Sequence, residues 1–275
     1  MAYAETHSSF NVANLPSWTM YVSHEKPKRL IVFVHGFGGR TVSTWTQFQQ
    51  SGRLGRWWQQ SDLLFVGYES ERENTSSVAD RLRRSLPAFY PTPHAQAMTL
   101  GGVSARNDTS SPYEELILVG HSLGALVIRC ALVQAAKSWL YGVPGAPCPF
   151  LLKAQTRLFS PAHAGFSPTG FLGLAKELGI LGVAEMRLRQ SPAYLDLQPG
   201  SSMIDDTRQL TEEFFDRTAA PALQAQILWA NPDNVVKAEE YKMDLRDSAD
   251  GQSHLTICKP HENYRSPWQF LERGI

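Results

Sequence analysis

Residues 116–126 read Leu-Ile-Leu-Val-Gly-His-Ser-Leu-Gly-Ala-Leu, and this stretch constrains the chain more than any other. An apolar run enters Gly120-His121-Ser122-Leu123-Gly124 and a helix-forming run leaves it. The G-x-S-x-G pattern therefore sits at a strand, sharp turn, helix junction. Glycines on both sides of Ser122 relieve crowding where strand meets helix and let the hydroxyl stand clear of the backbone. A serine hydroxyl is a poor nucleophile unless it is exposed, set beside a base and supplied with oxyanion donors. The turn provides the first of these. The plainer reading of Ser122 is an ordinary serine at a helix N-terminus.

The rest of the chain alternates in the way this junction requires. Ser17 to Val22 reads as a first strand. Arg29 to Val34 is a short apolar run of the kind buried on both faces of a sheet, and it ends at His35-Gly36-Phe37-Gly38-Gly39. Further strands are expected at Asp62–Tyr68, Lys153–Phe159 and 226–230. Helical patterns fall within 44–60, at Val78–Phe89, after Ser122, at 206–216 and around Trp268–Leu271. Short links between alternating segments predict an α/β fold, a mainly parallel sheet with helices on both faces. A chain of 275 residues fits one domain over 1–275. Within it, the apolar, glycine-rich stretch 166–190 interrupts the alternation, as a small cap insertion or as an ordinary packed helix pair. Residues 91–112 read as an exposed loop with no assignable chemistry.

Composition removes several classes of function. Basic and acidic side chains balance at 26 each, so no net field draws nucleic acid or an anionic membrane. The basic cluster Arg81-Leu82-Arg83-Arg84 reads as the wet face of a helix. Three cysteines, Cys130, Cys148 and Cys258, form neither a disulfide framework nor a metal-ligand spacing. No secretory leader is visible and no apolar run approaches the length of a membrane span, so a cytoplasmic location is the expectation. A secreted form that had lost its leader would read the same way.

Ser122 needs an imidazole to accept its proton and an acid to orient that imidazole. In this architecture the chain order is nucleophile, acid, histidine. Asp233 follows the late strand in Asn231-Pro232-Asp233, and His254 lies in a polar loop before the last helix. His163 and His261 are the competing bases; Asp244, Asp247 and Asp250 are the competing acids. The structural reading of Asp233 alone is an Asx turn. Oxyanion donors are expected from the backbone N–H groups of Leu123, at the helix start, and Phe37, in the glycine turn. The glycine turn lacks Gly-Lys-Ser/Thr, which disfavours a phosphate loop.

These motifs resemble the α/β-hydrolase superfamily. More narrowly, they are similar to serine esterases and lipases related to the GPI inositol-deacylase and to the mitochondrial serine-active-site lipid-remodelling proteins. The matching pieces are Val34–Gly39 with Thr44-Trp45, Gly67–Ser70, Val119–Gly124, Phe159–Gly165, Leu195–Ser201 and His254–Pro260, spread over residues 30–272. Two departures stand out. The family's Thr-Pro-His-x-Gly appears as Ser160-Pro161-Ala162-His163-Ala164-Gly165, and Ala125 follows Gly124 where glycine is more frequent. The resemblance implies carboxylester hydrolysis through an acyl-enzyme on Ser122, with His254 as base and Asp233 orienting it. No metal or organic cofactor is implied. The expected partner is a small-molecule or lipid ester, reached with at most transient contact at a membrane surface. An amidase or thioesterase with the same three residues, and a silent scaffold that binds a ligand or protein, are the alternatives.

Overall fold

In β3 (Arg29–Val34) every residue after the arginine is buried, and successive side chains point to opposite sides. Leu30, Val32 and Val34 enter one apolar core, while Ile31 and Phe33 enter another. The same parity divides β4 (Ser61–Val66) and β5 (Glu115–His121): Leu64 and Leu118 face the first core, Phe65 and Val119 the second. Strands with two dry faces require helices on both sides, and the computed structural model shows that arrangement. It describes residues 6–50, 55–94, 106, 111–167, 169–177 and 189–275.

The other strands are β1 (His7–Val12), β2 (Leu15–Ser23), β6 (Gln155–Phe159), β7 (Ala225–Asn231) and β8 (Leu245–Asp250). The sheet runs β1-β2-β4-β3-β5-β6-β7-β8. From β4 to β8 all neighbours are parallel, while β2 is antiparallel to both β1 and β4. Helices Thr75–Ser85, Leu123–Leu140 and Ser202–Thr218 cover the first face through residues such as Val78, Leu126 and Phe214. The 3-10 helix Ser43–Gln50 and the C-terminal helix Ser266–Arg273 cover the second, where Phe33 stacks on Phe65 at 5.0 Å and meets Trp45 at 5.0 Å. Each fully buried Leu, Ile or Phe in these layers contributes roughly 1.5–3 kcal/mol relative to exposure.

Several expectations are corrected. The strand read at Ser17–Val22 is the second, not the first; β1 precedes it as an edge strand buried only at its two ends, His7 and Val12. β8 has no counterpart among the expected strands, because every residue in it except Ala249 is exposed. Both are sheet edges, which carry no two-faced apolar run to be read. The helix expected over Val78–Phe89 starts earlier, at Thr75, where Asn74 Oδ1 accepts from Ser77 N–H. It gives way to a 3-10 turn at Leu86–Ala88, where Pro87 has no N–H to continue the ladder. The 206–216 helix spans Ser202–Thr218, and the 44–60 region holds two short helices with 51–54 outside the described residues.

The 91–112 segment is not merely an exposed loop. Arg106 is buried and grips Asp62 with two hydrogen bonds of 2.8 Å, while Tyr113 donates to the same carboxylate at 2.6 Å. The other residues of 95–110 lie outside the described residues, as do 178–188 of the expected cap. The start of that region forms a helix, Gly170–Glu177. It rests against the loop after β7: Ser167 N–H donates to Val235 O at 3.0 Å, and a Cβ on Gly170 would come within 1.8 Å of that oxygen. The helix Leu123–Leu140 has the length and apolarity of a membrane span, yet it is mostly buried inside the molecule.

Candidate active site

β5 ends at His121 and the long helix begins at Leu123, so the whole reversal falls on Ser122, at φ 53° and ψ −122°. A non-glycine residue at positive φ is strained and persists only where its surroundings hold it. Here Ser122 N–H donates to Phe159 O at 3.1 Å, and Ser122 O accepts from Ala125 and Ala162 N–H, each at 3.1 Å. A Cβ on Gly124 would stand 2.1 Å from Val34 O, so the helix passes the end of β3 at a distance only glycine permits. From the other side, a Cβ on Gly36 would lie 2.8 Å from Ser122 Cβ, so the glycine turn closes directly on the serine.

His254 follows β8 and reaches back over the C-terminal ends of the strands. Its Nε2 accepts from Ser122 Oγ at 2.8 Å, and its Nδ1–H donates to Asp233 Oδ2 at 2.9 Å. All three side chains are buried: 3% of Ser122 is exposed, and the side chains of His254 and Asp233 are 1% and 0% exposed. The two oxygens of Asp233 have separate partners. Its Oδ1 accepts from Val235 and Val236 N–H at 2.9 and 3.1 Å as an Asx turn, while Oδ2 faces the imidazole. Burial favours the neutral acid most strongly. Hydrogen bonds from His254, Val235 N–H and Ser160, with the charge of His254, outweigh it and hold Asp233 below the usual carboxylate range.

The competing residues are engaged elsewhere. His163 donates from Nε2 to Glu239 O at 2.6 Å and stacks on Tyr241; burial first, then Arg129, push its pKa down to about 3. His261 pairs by backbone with Tyr264 in an exposed turn. Asp244 is held by Arg129 at 2.5 Å, Asp250 accepts from Asn231 at 2.7 Å, and Asp247 is exposed.

Leu123 follows Ser122 directly and Phe37 follows Gly36, whose turn closes on the serine; no hydrogen bond within the described residues occupies the N–H of either. The turn carrying Phe37 is braced from β4's end. Tyr68 Oη donates to His35 O at 2.7 Å, Gly38 N–H donates to Ser70 Oγ at 2.9 Å, and Gly39 N–H closes on Gly36 O at 3.0 Å. Sequence reasoning missed two further supports. His121 donates from Nε2 to the carbonyl of His254 at 2.8 Å, and burial, then the nearby His254, lower its pKa to about 3, so its ring is neutral. Ser160, at φ 37°, accepts from Ala230 N–H at 3.0 Å through its hydroxyl. The only signal for His121 was its place inside the serine motif; Ser160 offered none beyond its own. Among the described residues no group of three His, Cys, Asp or Glu is placed to hold a metal, and the cysteines are free thiols.

No family model matches the chain, and no curated protein matches it by sequence. Solved structures do. Esterase B from Lactobacillus rhamnosis, described with a tributyrin phosphonate, superposes with a TM-score of 0.55 at 11% identity, covering 98% of this chain and 85% of that one. The mature Bacillus licheniformis lipase BlEst2 gives 0.51 at 19%, covering 92% and 96%. A structure from a study of carboxylesterases of the ammonia-oxidizing thaumarchaeon Nitrososphaera gargenis gives 0.50 at 12%, covering 96% and 97%. At such identities the likeness is one of fold.

Proposed function

We propose that this chain, which has the α/β-hydrolase fold, is a serine carboxylester hydrolase of the esterase and lipase kind. The observation that carries the reading is the continuous path from Ser122 Oγ through His254 to Asp233, at 2.8 and 2.9 Å. His254 Nε2 takes the Ser122 proton as Oγ attacks the ester carbonyl. Asp233 keeps the proton on Nδ1 and stabilises the imidazolium. The tetrahedral oxyanion is received by the Phe37 and Leu123 N–H groups; losing one such donor typically costs ~2.7–4 kcal/mol. Collapse releases the alcohol, protonated by His254, and leaves an acyl group on Ser122. A water that gives its proton to His254 then frees the acid.

The narrower kinship with GPI inositol-deacylase-like and lipid-remodelling enzymes rests on the motifs of the sequence, as does a cap over 166–190. A scaffold that only binds has no use for a strained serine aimed at a buried imidazole, so the geometry favours turnover. The deciding experiment compares p-nitrophenyl esters of rising chain length with wild type, Ser122→Ala and His254→Ala. Wild type should turn over at least one ester and be labelled by a fluorophosphonate. Both variants should fold and lose activity by roughly 10⁴-fold or more. Activity surviving in Ser122→Ala would reject the assigned nucleophile.

A further inference from the structure

Resting on that reading, we infer that the preferred ester bears an anionic group, carboxylate or phosphate, a few atoms from its scissile carbonyl. A cavity of about 250 Å³ lies between the Gly36–Arg40 turn and the Leu255–Lys259 segment that follows His254, and its lining reaches Ser122 through the serine's neighbours Gly36 and His121. Its charged lining residues are Arg40 and Lys259, one from each segment, and among the described residues no carboxylate lines it. Neither cation has an ion pair or a side-chain hydrogen bond among the described residues. Arg29, Arg81, Arg83, Arg106, Arg129 and Arg208 each have an acidic partner, whereas Arg157 bonds only Gln155 among the described residues; what sets Arg40 and Lys259 apart is that they share one cavity. In a chain of zero net charge, two unmatched cations in one cavity make a local positive field that an anionic occupant would answer.

The volume sets how far the charge lies from the reacting carbon. At about 30 Å³ for each water-sized group, the cavity holds roughly eight, so it suits a short arm. Phe37 and Leu255 supply apolar wall for the carbon chain, and the two cations supply charge-assisted hydrogen bonds for its head. Arg40 also borders a second depression beside Glu69 and Glu71, of which Glu69 is bound to Arg72 at 3.0 Å. Lys259 borders the first cavity alone of the two and should carry the larger share.

The test measures kcat/KM for two matched pairs. Monoethyl adipate against ethyl hexanoate places a carboxylate on the acid side. 1-Butyryl-glycerol 3-phosphate against 1-butyrylglycerol places a phosphate on the alcohol side. Each pair is run with wild type, Lys259→Gln, Arg40→Gln and the double variant, with folding checked by thermal melting. In wild type at low salt, at least one pair should favour its anion about tenfold or more. That ratio should fall toward one in Lys259→Gln and in the double variant, and shrink as salt rises. The responding pair identifies which anion, on which side of the ester, is recognised. Equal or better turnover of the neutral member in both pairs, or a preference that survives the double variant, overturns the inference. If p-nitrophenyl acetate is still hydrolysed in that case, the hydrolase reading stands and only this inference has failed. If no ester turns over and no fluorophosphonate label appears, the reading beneath has failed and takes this one with it.

Discussion

At the scale of single residues, Asp233 and His121 hold His254 from two directions by different means. Asp233→Asn should keep the Asx turn, because an amide oxygen can still accept from Val235 and Val236, but present an amide N–H where Nδ1 needs an acceptor. The imidazole would then hold the wrong tautomer. We expect kcat to fall by about 10⁴-fold with thermal stability little changed, measured by steady-state kinetics and calorimetry. His121 grips the backbone of the same residue with a neutral N–H. Replacing it with Leu leaves a buried carbonyl without a donor, which costs about 1–3 kcal/mol, and loosens the base. The expected result is a kcat loss of about tenfold or more at nearly constant KM, recovered in large part by His121→Gln, which restores a donor. An equal loss in both variants would mean the ring acts only by packing.

The elements meet at Ser122 through two glycines with different duties. Gly124 lets the long helix cross the end of β3, whereas Gly36 lets a turn touch the serine. Gly124→Ala forces a Cβ onto a strand carbonyl and must shift helix against sheet, costing roughly 1–3 kcal/mol and activity together. Gly36→Ala presses on Ser122 Cβ and displaces the turn proposed to receive the oxyanion, so kcat should drop while the melting temperature stays near wild type. Parallel melting curves and rate measurements on the two variants separate these outcomes. At this same scale the central strands were plain in the sequence, since β3, β4 and β5 are apolar on both faces. The edges were not: β1 and β8 have one neighbour each and wet faces, so their residues follow pairing with β2 and β7, not hydrophobic pattern.

For the molecule as a whole, buried neutral imidazoles link stability to acid. His121 and His163 resist protonation in the fold down to about 3, mainly because burial disfavours the charged ring, whereas the unfolded chain takes up those protons near the ordinary value of 6.5. Between those limits the unfolded state binds more protons. Stability is therefore complete above about pH 6.5 and declines by up to about 1.4 kcal/mol per pH unit for each ring as acid is added. Urea midpoints between about pH 7 and pH 4 should show that decline, and His163→Gln, which keeps a donor for Glu239 O but cannot titrate, should remove one ring's share of it. A slope unchanged by the substitution would place the acid sensitivity in other groups.

Read alone, the chain determined the strand–turn–helix at Ser122, the two-faced strands beside it and the order Ser122, Asp233, His254, because each is written in local pattern or in succession. Tertiary structure alone decided what depends on neighbours distant in sequence. Arg129 lies in an apolar helix and is buried because Asp244 and Leu223 O meet it there, at 2.5 and 2.6 Å. Arg106 became an anchor when Asp62 and Tyr113 closed around it. His121 finds the carbonyl of a residue 133 positions away. Hydrophobic periodicity reports which face of an element is dry; it carries no information on which polar group waits across the interface, and that is fixed only when the sheet has assembled.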